Sequence, residues 1–247
     1  LTPCWYVCDV STLAKTVRER TGLFPALVFG SAIHGAGRTF LAKMVEKIFD
    51  RAGYPVERIS VGSIFREIAA KEGLSVDEFA ALEAKDPERF YALNQEIDEE
   101  VHERMGSAAE DAVVVIDSNI AAYHADTDNV YAFLVYADPR IIAKRVLAHP
   151  RAGDSQYHSE KEAMRALLQR TREDIEMYSR MSTVAKGNFW KMVYRIAAED
   201  MQKNLNALLD GNVPKSPFYH ASIDNNGAEE QTMEKWCDAV QKIVNLL

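Results

Sequence analysis

No apolar stretch in this chain approaches the length of a bilayer, so no helical membrane span is expected within its 247 residues. Cysteine is scarce: only Cys4, Cys8 and Cys237 occur, with no Cys or His partners at zinc-finger spacing. That argues against a disulfide scaffold or a zinc module and for free thiols in a reducing cytoplasm. Positive charge is short as well, with 29 Lys and Arg against 37 Asp and Glu and a net charge of −8. The chain therefore has no general attraction to a nucleic-acid backbone, although a local basic patch stays compatible with that balance. Residues 1–25 lack a long apolar core behind a basic start, so no signal peptide is expected and the expected location is cytoplasmic. Internal repeats and low-complexity tracts are absent.

Hydrophobic residues make up 47% of the chain and charged residues 27%, the composition of an ordinary globular protein that can bury a sizeable core. Apolar runs at 26–31, 56–61, 112–117, 130–136 and 219–224 read as strands. Helical patterns occupy 11–20, 41–52, 63–71, 74–84, 89–105, 139–147, 160–181, 188–210 and 229–247. Ser75 with Glu78 has the spacing of a capping box, and Gly22 and Gly53 are helix stops. Strands alternating with helices predict an α/β fold with a parallel sheet covered on both faces. Residues 1–24 read as an N-terminal extension to a domain at 25–247.

The most informative stretch is Gly30-Ser31-Ala32-Ile33-His34-Gly35-Ala36-Gly37-Arg38-Thr39-Phe40, between the first strand and the first helix of that domain. A glycine-rich turn that opens a helix aims backbone N–H groups and the positive end of the helix dipole at one place, which suits a phosphate. The usual P-loop reads G-x-x-x-x-G-K-[ST]. Gly37 and Thr39 fill the last glycine and the hydroxyl, Ala32 stands at the first glycine and Arg38 replaces the lysine. A planar guanidinium keeps the charge but makes a different fork of contacts from an ammonium. His34 inside the loop could tune anion binding near neutral pH.

Further segments, in order, carry a family resemblance. Val61-Gly62-Ser63-Ile64-Phe65-Arg66-Glu67-Ile68-Ala69, Gly73-Leu74-Ser75-Val76-Asp77-Glu78-Phe79, Asp86-Pro87-Glu88, Asn94-Gln95-Glu96-Ile97-Asp98 and Tyr136-Ala137-Asp138-Pro139 resemble the archaeal-type cytidylate kinases, as do residues 170–178. The similarity runs over residues 26–181, more loosely over 219–244, and leaves 1–24 and 183–215 without a counterpart. It implies a P-loop nucleoside monophosphate kinase: a three-layer fold with a central parallel five-stranded sheet, acceptor-binding helices at about 62–110, a lid at about 145–180 and, here, a helical insertion at about 183–215. It also implies transfer of the γ-phosphoryl group of ATP, with Mg²⁺, to CMP or dCMP.

Carried over residue by residue, the resemblance puts Gly35, Ala36, Gly37, Arg38, Thr39 and Phe40 on the donor phosphates, with Thr39 on Mg²⁺. Arg66 is the arginine for the acceptor phosphate, and Ser63 either caps its helix or touches the acceptor. Arg145, Arg151, Arg170 and Arg172 are lid candidates; Arg170 and Arg172 are taken as catalytic, although Arg170 could instead pair with Asp174 one turn on. Asp98 and Asn119 fall in the acceptor region, and Asp98 reads equally as part of a solvated helix face. Asp117, at a strand end, could hold Mg²⁺ or accept a proton. Two departures stand out. Asn119 occupies the place of a family arginine, and Glu99 and Glu100 follow Asp98 where the family has basic residues. They leave room for a neutral acceptor, either a nucleoside or a hydroxymethylated base in DNA, while Ala32 and Arg38 leave room for a module that binds nucleotide or a partner without transfer. Phe189, Trp190 and Tyr194 have the spacing of helix packing rather than of a base-stacking platform. The sequence sets no oligomeric state.

Overall fold

Five strands, β1 (Ala26–Ser31), β2 (Val56–Ser60), β3 (Val113–Asp117), β4 (Val130–Tyr136) and β5 (Ala221–Asp224), form one sheet in the order β2-β3-β1-β4-β5. Every pairing is parallel. The computed structural model describes residues 10–125, 127–148 and 157–247. Cys4, Cys8, Arg151 and residues 149–156 of the expected lid lie outside them.

The unbroken apolar runs of β1 and β3 follow from burial on both faces. Leu27, Phe29, Val113, Val115 and Phe133 point into one layer, while Ala26, Val28, Val114, Ile116 and Ala132 point into the other. The first layer holds α1 (Val10–Thr21), α2 (Arg38–Arg51) and α9 (Glu229–Leu246). Phe29 stacks on Phe133 at 5.4 Å, and Phe133 meets Trp236 of α9 edge-on at 6.2 Å. The second layer holds α3 (Val61–Lys71), α4 (Val76–Lys85) and α5 (Pro87–Ala108). After β4 come α6 (Pro139–Ala148), α7 (Glu160–Val184) and α8 (Asn188–Leu209). The last two pack together around Tyr178, Trp190 and Tyr194, a satellite core closed by Ile120 and Tyr123 beyond β3. Trp190 and Tyr194 are thus packing residues, while Phe189 of the same run stays exposed. Among the described residues no helix is long and apolar enough to cross a membrane.

Two expectations change. Residues 1–24 read as an extension, yet Val10, Leu13, Ala14 and Val17 of α1 are buried in the same core as α2 and α9. Their spacing puts them on one helical stripe. Ser63 does not cap α3, because the helix already starts at Val61 with Ser60 as the residue before it. The Ser75 box does form: Ser75 Oγ accepts from the Glu78 N–H at 3.2 Å, and the Glu78 carboxylate accepts from the Ser75 N–H at 2.8 Å. Cys237 is a free, half-buried thiol.

Candidate phosphate-binding site

All five strands end at one edge of the sheet, and β1 delivers its loop to the middle of that edge. Open parallel sheets bind ligands there. Ala32 is tolerated at the first motif glycine because its backbone is not left-handed; its N–H donates to the Val135 C=O at 3.1 Å and prolongs the ladder. Gly35 and Gly37 do need to be glycine, with φ of 80° and 96°. Gly37 is the N-cap of α2. The first helical bond runs from the Leu41 N–H to the Gly37 C=O at 3.0 Å, so the N–H groups of Arg38, Thr39 and Phe40 have no partner within the helix. Ser31, His34, Thr39, Leu167 and Arg170 line a cavity of about 160 Å³ against this loop. A second cavity of about 620 Å³ shares Gly35, Gly37 and Val146 with it and is bounded by Phe40, Arg145, Asn225 and Gly227. A further hollow of about 490 Å³, lined by Arg20, Tyr131 and His220, lies where β4 begins, at the other end of the strands.

Arg38 reaches across the strand ends, and its Nε pairs with Oδ1 of Asp117. The Asp117 side chain is 5% exposed and that of Arg38 23%. Nη1 of Arg38 is buried and has no hydrogen-bond partner among the described residues. Such an orphaned donor costs about 1–3 kcal/mol until an acceptor arrives. The fork of the guanidinium lets one nitrogen pair with Asp117 and leaves another without a partner among the described residues, a split that an ammonium does not offer.

On the α7 side, the His34 N–H donates to Thr171 Oγ1 at 3.1 Å, and His34 Nε2 lies 2.7 Å from Asp174 Oδ2. Asp174 is therefore engaged by the loop histidine and not by Arg170, which is exposed and borders the 160 Å³ cavity. Arg172 is exposed and does not line that cavity, because two residues along a helix turn a side chain to a different face. The Arg145 guanidinium is engaged on the loop between β5 and α9: its two Nη atoms donate to the C=O groups of Asn225 and Gly227 at 2.7 and 2.8 Å.

The candidate acceptor residues are scattered. Arg66 is exposed on α3 and donates to Ser63 Oγ at 3.3 Å. Glu67 pairs with Arg104, which also holds Glu100. Asp98 is neither solvated nor open, because α8 covers it: it is 5% exposed and accepts from the Tyr194 hydroxyl at 3.0 Å. Burial pushes its carboxyl up to about 7; the Tyr194 bond opposes the rise and the Glu99 carboxylate adds to it. The Asn119 Oδ1 accepts from both the N–H and the hydroxyl of Ser31, at 3.0 and 3.1 Å, so this amide braces the root of the loop. Tyr219, which no sequence pattern singles out, lies where a Cβ on Gly30 would be and so requires glycine there.

Sheet order, loop and strand-end carboxylate together define an α/β protein of the P-loop kinase fold. The chain belongs to the family described as AAA domain, whose model matches residues 31–165, more than half of its length. It is 30% identical over 116 residues to the cytidylate kinase of Pyrococcus horikoshii, covering 47% of this chain and 53% of that one. Against the cytidylate kinase of Methanosarcina barkeri it is 28% identical over 123 residues, covering 49% and 62%. The chain thus spans between half and two thirds of the length of these relatives. The crystal structure of TT1252 from Thermus thermophilus shares the fold, with a TM-score of 0.50 at 16% identity, covering 89% of this chain and 97% of that one.

Proposed function

We propose that the chain is an ATP-dependent phosphotransferase whose acceptor is a pyrimidine nucleotide such as CMP or dCMP. The observation that carries this reading is the loop of residues 35–39, whose helix-start N–H groups have no partner within α2 and whose Arg38 Nη1 has none among the described residues, beside a 160 Å³ cavity. The similarity to cytidylate kinases supports the acceptor class. The backbone N–H groups and Arg38 hold the donor phosphates, and the larger adjoining cavity takes base and ribose. Phe40 forms part of its wall. Arg170 approaches the transferring group from α7. Thr39 and Asp117, oxygen donors of the kind Mg²⁺ prefers, would hold the ion carried on the polyphosphate. When bound, Mg²⁺ offsets charge on the phosphate oxygens. Arg66, with Ser63 beside it, meets the acceptor phosphate, and the regions about 62–110 and 145–180 act as acceptor site and lid. Asp98 and Asn119 serve this site from behind, as a covered carboxyl and a loop brace.

A second reading keeps the donor site and changes the acceptor to a neutral hydroxyl, on a nucleoside or a hydroxymethylated base in DNA. Its support is Asn119: an amide committed to Ser31 cannot neutralise a phosphate dianion. In that reading Asp117 accepts the proton of the hydroxyl.

Two measurements test both readings. MgATP at a hundredfold excess over its Kd is expected to stabilise the fold by about 2.7 kcal/mol, seen as a rise in melting temperature. No shift at millimolar ATP would favour a module without donor binding. Radiolabelled ATP offered to CMP, dCMP, nucleosides and hydroxymethylated DNA should label CMP or dCMP most. Arg66→Ala is expected to cut kcat/KM with CMP about a hundredfold while sparing a neutral acceptor, as loss of a charged phosphate contact requires. Equal CMP activity in that variant would remove Arg66 from the acceptor site, and labelling of a neutral acceptor alone would select the second reading.

A further inference from the structure

The loop between β5 and α9 reaches the phosphate loop through one buried side chain. Asn225 is 6% exposed, and all four of its polar groups are used. Its Nδ2 donates to the Ala36 C=O at 2.6 Å, across 189 residues of sequence. Its Oδ1 accepts from the Thr232 hydroxyl at 2.8 Å; the Ala36 C=O, which can only accept, is what fixes the Nδ2 end of the amide toward it. The Asn225 N–H donates to the Tyr136 C=O at 2.8 Å, at the end of β4. Its C=O accepts from Arg145 Nη1 at 2.7 Å, and Arg145 Nη2 holds Gly227 of the same loop.

This geometry sets a direction. The Ala36–Gly37 peptide is planar and trans, so its C=O and N–H point opposite ways. Anchoring the Ala36 C=O on Asn225 aims the Gly37 N–H away from Asn225. Gly37 is excluded from carrying a side chain twice over, because its φ is 96° and a Cβ there would fall on Asn225 Nδ2. The amide that bounds the larger cavity is thus the support against which the phosphate loop is held.

We propose that Asn225 is a positioning residue of the phosphate loop: by pinning the Ala36 carbonyl it orients the Gly37 N–H for the phosphates of the donor, with Thr232 holding Oδ1 of the amide and Arg145 holding the loop that carries it. The proposal rests on the reading of residues 35–39 as a polyphosphate cradle.

The test is Asn225→Asp in the full chain, with inorganic tripolyphosphate and MgATP as probes. The variant keeps size and the Thr232 bond but sets a carboxylate oxygen against the Ala36 C=O, which drives that peptide to turn. Loss of about tenfold or more in affinity is expected for both probes, with a matching rise in KM for ATP and little change in KM for the acceptor. A residue that served only the base would weaken ATP and spare tripolyphosphate, and unchanged affinity for both would equally overturn the proposal. Thr232→Val, which removes the hydroxyl that holds Oδ1, should weaken both probes in the same sense and to a smaller degree. Hydrogen exchange of the 33–41 segment in the ligand-free protein decides the point apart from function. Faster exchange there in Asn225→Asp, with the melting temperature held, supports the clamp, and wild-type exchange rates contradict it. Should wild-type protein bind neither probe, the cradle reading fails, and the exchange result still stands on its own for Asn225.

Discussion

Replacing Asp117 with asparagine is expected to cost both stability and turnover. The Asp117 side chain is 5% exposed, and its carboxylate is the partner of the Arg38 guanidinium, on a side chain 23% exposed. Removing it leaves a mostly buried cation without its counter-charge, and Arg38 already has one orphaned nitrogen. Breaking a buried pair costs about 3–5 kcal/mol, and the partial exposure of Arg38 brings the expected loss down to about 2–3 kcal/mol. For a chain of this size that is a fall of about 5–10 °C in melting temperature. The pairing also predicts non-additivity. Arg38→Met with Asp117→Asn should be more stable than Asp117→Asn alone, because the stranded charge is gone. Turnover should drop about a hundredfold or more, whether Asp117 holds the metal or takes a proton. If Asp117→Asn melts with the wild type and transfers phosphate at its rate, the pair has neither role.

The second large effect is a pH dependence centred on Asp98. Its carboxyl is raised from 3.8 to about 7 in the folded protein, chiefly by burial under α8. A raised pKa means that the folded state binds the proton more tightly than the unfolded chain. The stabilisation is therefore complete below about 4 and is lost as pH climbs through 7. Asp98→Asn keeps an oxygen for the Tyr194 hydroxyl and carries no charge. Its stability relative to wild type should rise between pH 4 and 7 and level off above, by about 4 kcal/mol in all. His124 works in the opposite sense. Burial, with His102 alongside, lowers its ring to about 3, so its share of stability is lost as pH falls from 6.5 toward 3. The difference between variant and wild type isolates Asp98 from that slope. Melting curves across this range settle the matter; a variant that tracks the wild type at every pH would mean that Asp98 ionises freely.

What was legible in the sequence was local. The loop announced itself because Gly37 and Thr39 stand at fixed spacing between an apolar strand and a helix start, and the alternation of strands and helices gave the parallel sheet. The Ser75 cap needs four residues and was readable from them. The stripe of Val10, Leu13, Ala14 and Val17 is equally local, but nothing in it says which surface it covers, and the tie of α1 to the core comes only with the packing against α2 and α9. The contacts that shape the site were not legible, because they join distant segments. Asn225 meets Ala36 across 189 residues, His34 meets Asp174 across 140, and Asn119 meets Ser31 across 88. Asp98 shows the same limit from the other side. Its neighbours Glu99 and Glu100 make the helix look solvated, and only α8, placed by the fold, buries the carboxyl under Tyr194.

The central claim is that this loop grips a triphosphate although it has Ala32 and Arg38 where glycine and lysine are usual. Calorimetric titration of the full chain with MgATP tests it most directly. One saturable site is expected, retained in Arg38→Lys and lost in Arg38→Ala. No heat of binding at millimolar MgATP, or binding that Arg38→Ala leaves unchanged, would contradict it.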